Sequence, residues 1–106
     1  MPQFTRAEAE ALLPRVRPLL EDLKRRKKTY DERPSAPVAS EIEALLRGVA
    51  ELGVEVKDID SGLIDFRAYR DGEEVYLCWR LGEGDRIAWW HSLEGGFRAR
   101  RPLVEN

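Results

Sequence analysis

Leu63-Ile64-Asp65-Phe66-Arg67-Ala68-Tyr69-Arg70-Asp71-Gly72-Glu73-Glu74-Val75-Tyr76-Leu77-Cys78-Trp79-Arg80 is the stretch that decides the fold. Two runs of alternating character flank Asp71-Gly72, and Asp-Gly is a strong signal for a two-residue type I′ hairpin. That turn pairs Arg70 with Glu73. Counting back along both strands sets Asp65 opposite Cys78. Further on, Glu83-Gly84-Asp85-Arg86 predicts a second tight turn, of type II′, which pairs Glu83 with Arg86 and sets Cys78 opposite His91. Leu63–Tyr69, Glu73–Leu81 and Arg86–His91 are then three antiparallel strands. One face carries Ile64, Phe66, Ala68, Val75, Leu77, Trp79, Leu81, Ala88 and Trp90, and this apolar face is expected to pack on helices. The other carries Asp65, Arg67, Tyr76, Cys78, Arg80, Trp89 and His91. The only Cys and the only His of the chain stand there as neighbours, with a carboxylate on the far side of the Cys.

Toward the N-terminus the period changes from 2 to 3.6. Residues 5–30 read as a helix opened by a Thr5–Glu8 capping box. Ala9, Leu12, Leu13, Val16, Leu19, Leu20, Leu23 and Tyr30 form its apolar stripe. Pro14 and Pro18 each remove an amide, so a kink or short break is expected near Leu13. Pro34 and Pro37 mark a loop. Ser40 with Glu43 reads as the opening of a second helix, with Ile42, Leu45, Leu46, Val49 and Leu52 as its buried face and Gly53 as its stop. Gly48, mid-helix at a cost of about 1 kcal/mol against Ala, implies a close approach of the first helix. Val54–Lys57 reads as a short strand, and Gly95–Leu103 as irregular.

The 106 residues are expected to form one domain: a helical hairpin over 5–52, a sheet over 54–91 and an irregular tail over 92–106. The fold class is α+β, an N-terminal helical hairpin packed on a C-terminal antiparallel meander of three to four strands. Charged residues make up 36% of the chain and apolar residues 42%, as in soluble globular proteins, with helix-face pairs such as Glu21 with Arg25. A single Cys excludes an internal disulfide and fits a reducing cytoplasm. The sequence contains neither an 18-residue apolar run nor a signal-peptide pattern, so membrane insertion is not expected. The net charge of −2 gives no overall attraction to nucleic acid. The basic run Lys24-Arg25-Arg26-Lys27-Lys28 wraps more than one helical turn without interleaved aromatics, so it reads as solvated surface.

The chain resembles a small uncharacterised prokaryotic family classed as a domain of unknown function. The resemblance rests on Phe4-Thr5 with the following Glu-Ala and Leu-Leu-Pro pattern, and on Gly53-Val54-Glu55-Val56-Lys57-Asp58. It continues in Gly62-Leu63-Ile64-Asp65-Phe66, in Val75-Tyr76-Leu77-Cys78-Trp79-Arg80-Leu81-Gly82-Glu83, in Trp90-His91, and in Gly96-Phe97, Arg100 and Pro102-Leu103. Asp65, Cys78, Glu83, His91 and Arg100 fall on its signature positions. The resemblance implies a family and no activity.

Three chemistries compete for these residues. Cys78 and His91 suit a nucleophile and its base, for which Glu83 or a tail residue is the expected orienting group because Asp65 flanks Cys78 instead. Asp65, Cys78 and His91 are also acceptable zinc ligands. Against this, Asp65 and His91 stand two strands, about 9.5 Å, apart and would have to reach toward each other over Cys78. No cofactor is required by any motif; a divalent metal such as zinc is the candidate. Arg67, Arg80 and the tail Arg100 suit a carboxylate or phosphate. The leading expectation is therefore a binding module for an anionic small molecule or partner at Asp65, Arg67, Cys78, Arg80, Glu83, His91 and Arg100. A Cys/His- or metal-dependent enzyme comes second. A structural homodimer or adaptor, joined through the hairpin or Trp89, comes third.

Overall fold

The computed structural model describes residues 3–103; the last residues assigned to the tail, 104–106, lie outside them. Two helices, α1 (Arg6–Glu32) and α2 (Ala36–Glu51), precede five strands: β1 (Glu55–Asp58), β2 (Leu63–Arg70), β3 (Glu73–Arg80), β4 (Trp89–Ser92) and β5 (Arg101–Pro102). The strands form one antiparallel sheet in sequence order. The architecture is the expected α+β hairpin-on-meander. The tail adds a fifth strand, paired with β4, and a short 3-10 helix, Phe97–Ala99.

α1 begins as its sequence dictates. Thr5 Oγ1 accepts from the Glu8 amide at 3.1 Å while Glu8 Oε1 accepts from the Thr5 amide at 2.9 Å, which satisfies two orphan donors at once. The break expected near Leu13 is absent, and α1 runs unbroken through Pro14 and Pro18. Both prolines are exposed while Leu13, Val16 and Leu20 between and around them are buried. Packing of the apolar stripe holds the helix together despite the two missing amides. α2 begins five residues earlier than expected. Ser35, not Ser40, is its N-cap, with Ser35 Oγ accepting from the Val38 amide. Pro37 belongs to the first turn, where its missing amide costs nothing. Gly53 ends the segment with φ 83°, as a glycine C-terminal stop does. A Cβ at Gly48 would meet Leu19 Cδ1 at 3.8 Å, an ordinary contact, so helix packing does not demand the glycine.

The first hairpin has the expected register. Asp71 and Gly72 both adopt positive φ, as a type I′ turn requires, and Arg70 pairs with Glu73 and Asp65 with Cys78. The second tight turn does not form, although β3 and β4 still pair. Tyr76 lies opposite His91 and Cys78 opposite Trp89, a shift of two residues, and β4 begins at Trp89 rather than Arg86. Residues 81–88 leave the sheet and dock on α1. Gly82 and Gly84 both take positive φ. The Trp79 indole and Arg17 both donate to the Gly84 carbonyl, and the Ile87 amide donates to Glu10 Oε2 at 2.7 Å. Ile87 is fully buried and Ala88, expected in the core, is exposed. A two-residue shift keeps every side chain on its face, so Cys78 and His91 still share one.

The core lies between the hairpin and the expected sheet face. Leu13, Leu20, Leu23 and Val49 pack with Ile64, Phe66, Leu77, Trp79 and Ile87; Leu81 and Trp90 are half-buried at its margin, and Tyr30 is exposed. Gly62 has φ 67°, and a Cβ there would lie 2.5 Å from Leu81, so glycine is required on both grounds.

Candidate functional site

The opposite sheet face is not a solvated one. Asp65, Tyr76, Cys78 and His91 are all buried there. β2, β3 and β4 deliver Asp65, Cys78 and His91, and one ligating atom from each lies within 4.8 Å of the others. His91 Nε2 is 3.0 Å from both oxygens of Asp65. The expectation that Asp65 is misplaced for His91 is therefore corrected, and Glu83 does not take that role. The strand-spacing argument fails because Cys78, between them, is small. The imidazole and the carboxylate lean over it and meet.

The protons of this cluster are constrained by geometry. His91 Nδ1 lies 2.7 Å from the Ser92 carbonyl. A carbonyl only accepts, so Nδ1 carries a hydrogen and donates it. In a neutral ring Nε2 is then a bare lone pair, and it faces a carboxylate. Two acceptors at 3.0 Å repel unless a positive charge sits at Nε2 or between the groups: a proton or a metal cation. Burial raises the Asp65 carboxyl above its ordinary value, against the opposing pull of His91 and of the Cys78 hydrogen bond. Burial, reinforced by the Asp65 charge, pushes the Cys78 thiol up to about 12, with Arg100 pulling the other way. Such a group is a thiol at neutral pH, not the thiolate that nucleophilic catalysis needs.

The flanks carry charge networks. Beside His91, the Tyr76 hydroxyl donates to Glu55 Oε1 at 2.9 Å, and Lys57 Nζ sits 4.6 Å from the Tyr76 ring centre. Glu55 also pairs with Lys57 at 3.0 Å and with Arg67 at 3.3 Å, and Arg67 reaches Glu74 at 3.5 Å. Beside Cys78, Arg100 donates to Glu83 Oε2 at 2.8 Å and lies between Trp89 and Phe97, 4.6 and 4.7 Å from their ring centres. Arg80 pairs with Glu83 at 3.6 Å and stacks on Phe97. Each arginine expected to await an anion thus already has a carboxylate partner in the chain, and Trp89 is stacked by Arg100.

The sequence reading overlooked Glu55, Lys57 and the roles of Tyr76 and Phe97. Glu55 lies opposite Asp65, so extending the Asp65–Cys78 row to the preceding strand would have found it. Phe97 lies in a tail with no regular period, and only its place in the Gly96-Phe97 motif of the resemblance marked it. The run from Lys24 to Lys28 is divided by the fold. Arg26 pairs with Glu41, and Lys27 with Asp31 and Asp60. Arg25 pairs with Asp22 rather than Glu21.

A family model described as an uncharacterized conserved protein (DUF2203) matches residues 24–103. The chain belongs to this family. The DUF2203 match spans the C-terminal turns of α1, all of α2, the whole sheet, the Asp65–Cys78–His91 cluster and Arg100. The Phe4-Thr5 and Leu12-Leu13-Pro14 elements of the resemblance lie before it. No curated protein and no solved structure matches the chain. Among the described residues, no helix is long and apolar enough to cross a membrane.

Proposed function

We propose that this DUF2203 domain is a metal-binding module that holds one divalent ion of the zinc type on Asp65, Cys78 and His91. The observation that carries the reading is the His91 hydrogen bond to the Ser92 carbonyl, which turns Nε2 toward a buried carboxylate beside a buried thiol. Histidine ligands of metals commonly donate their other ring N–H to a backbone carbonyl or carboxylate, which fixes the tautomer and the ring direction. A sulfur, an imidazole nitrogen and a carboxylate oxygen suit zinc better than magnesium or calcium, which prefer oxygen alone. Their mutual separations, within 4.8 Å, require the side chains to draw in by about 1 Å to reach the donor spacing set by metal bonds of about 2.0–2.3 Å. A divalent ion also resolves the charge problem. It displaces the thiol proton, and its two positive charges match one carboxylate and one thiolate.

Three protein donors leave a coordination position for a ligand from outside, the arrangement found at reactive zinc centres rather than closed structural ones. Binding of an external group at the ion joins the binding-module and metal-dependent readings of the sequence. The competing state is metal-free, with a single proton shared between His91 Nε2 and Asp65 and an inert thiol beside them.

The test is metal analysis of protein purified without chelator, followed by zinc titration into stripped protein. One equivalent of zinc is expected. Asp65→Ala, Cys78→Ala and His91→Ala should each weaken binding by at least tenfold while their circular dichroism stays native. Zinc uptake unchanged in all three variants, or no uptake by the folded wild type, would overturn the proposal.

A further inference from the structure

Resting on the metal reading, the geometry points to a small oxyanion as the external ligand of this centre, matched in charge by Arg100.

The first observation is an unsatisfied donor. The Arg100 side chain is only 8% exposed. Its Nη2 donates to Glu83, but its Nε is buried with no hydrogen-bond partner among the described residues. Buried guanidinium N–H groups are normally paired, because an unpaired one forfeits the water it had in the unfolded chain. The guanidinium lies over the rings of both Trp89 and Phe97, so it cannot swing out to recover a partner without losing that packing. Trp89 is the cross-strand neighbour of Cys78, so the ring over which Arg100 lies borders the cluster.

The second observation is the charge around the site. Lys57, Arg67, Arg80 and Arg100 are tied by ion pairs to Glu55, Glu74 and Glu83. Four cations therefore face three carboxylates. The centre they surround is neutral when a divalent ion binds one carboxylate and one thiolate. One positive charge remains over, and a monoanion at the open position would balance it.

The chemical class follows from these groups. Guanidinium N–H groups are shaped for carboxylate and phosphate oxygens, and an oxygen donor completes a zinc sphere of sulfur, nitrogen and oxygen. The ligand must be small, since Asp65, Cys78 and His91 are at most 2% exposed.

The experiment uses protein saturated with cobalt(II), whose visible absorption reports the ligands on the ion. Sodium acetate and inorganic phosphate are titrated separately. Saturable change with acetate alone marks a carboxylate ligand, and with phosphate alone a phosphate ligand; either supports the proposal. Arg100→Gln should weaken the response by about tenfold or more, the range for a charge-assisted hydrogen bond. Glu83→Gln leaves Arg100 in place without its competing carboxylate and should tighten binding severalfold, which keeps the test open if Arg100→Gln fails to fold. A cobalt spectrum unmoved by both anions, or an affinity unchanged in both variants, would overturn the oxyanion while leaving the metal site standing. Failure to bind cobalt would remove both.

Discussion

Ile87 separates the observed chain path from the hairpin that the sequence implies. A tight turn at Gly84-Asp85 would put Ala88 in the core and Ile87 on the other face. In the structure Ile87 is 0% exposed and Ala88 is exposed. Ile87→Ala removes three carbons. At about 0.8 kcal/mol for each buried methylene this is roughly 2.4 kcal/mol of transfer free energy. The cavity left between α1 and the sheet adds to it, for a total of about 2.5–4 kcal/mol. For a domain of this size, whose whole stability is of order 5–15 kcal/mol, that loss should lower the melting temperature by about 10 °C or more. Ala88→Asp, on the exposed neighbour, should change stability by no more than about 0.5 kcal/mol. Urea denaturation followed by tryptophan fluorescence measures both. A cost below about 1 kcal/mol for Ile87→Ala together with a large cost for Ala88→Asp would refute the docked loop and restore the tight hairpin.

Two glycines should respond in opposite directions. Gly62→Ala places a methyl 2.5 Å from Leu81 at φ 67° and should destabilise by about 1–3 kcal/mol, whereas Gly48→Ala meets only Leu19 at 3.8 Å and should stabilise by up to about 1 kcal/mol; equal effects in denaturant melts would contradict the packing described. In metal-free protein the Cys78 thiol, raised to about 12, should react with iodoacetamide far more slowly at pH 7.5 than a free thiol does, and alkylation faster than glutathione would show a thiolate instead. Burial would raise the Glu55 carboxyl, but the bonds from Lys57 and Tyr76 outweigh it and hold it below its ordinary value of 4.5. A lowered carboxyl stabilises the fold above that value and loses its contribution as pH falls through the folded value. Glu55→Gln should therefore flatten the acid side of the pH–stability curve below about pH 5, and an acid limb as steep as that of the wild type would rule this out.

The sheet's first hairpin was legible because its determinant is local: Asp71-Gly72 supplies two adjacent residues that tolerate positive φ. The second turn was not, because the contacts that draw residues 81–88 away from the sheet come from Glu10 and Arg17 on α1, some seventy residues earlier in the chain. No local pattern contains them. The shared face of Asp65, Cys78 and His91 survived this error because a shift of two residues preserves the alternation of side chains. Their mutual contact did not follow from strand spacing, which measures backbones and ignores how far a histidine can lean over a cysteine. The start of α2 was misplaced because Ser35 and Ser40 offer similar caps, and Pro37, which fits the first turn only when Ser35 is the cap, was read as a loop marker instead. The arginine partners were illegible for a different reason. Carboxylates are abundant in the chain, and only the folded tail decides that Arg100 meets Glu83.

The central claim is that Asp65, Cys78 and His91 share one metal ion. Zinc K-edge X-ray absorption on the loaded protein tests it most directly. The account predicts one sulfur at about 2.3 Å with nitrogen and oxygen neighbours at about 2.0–2.2 Å, and loss of the sulfur shell in Cys78→Ser. A zinc shell of nitrogen and oxygen alone in the wild-type protein would contradict it.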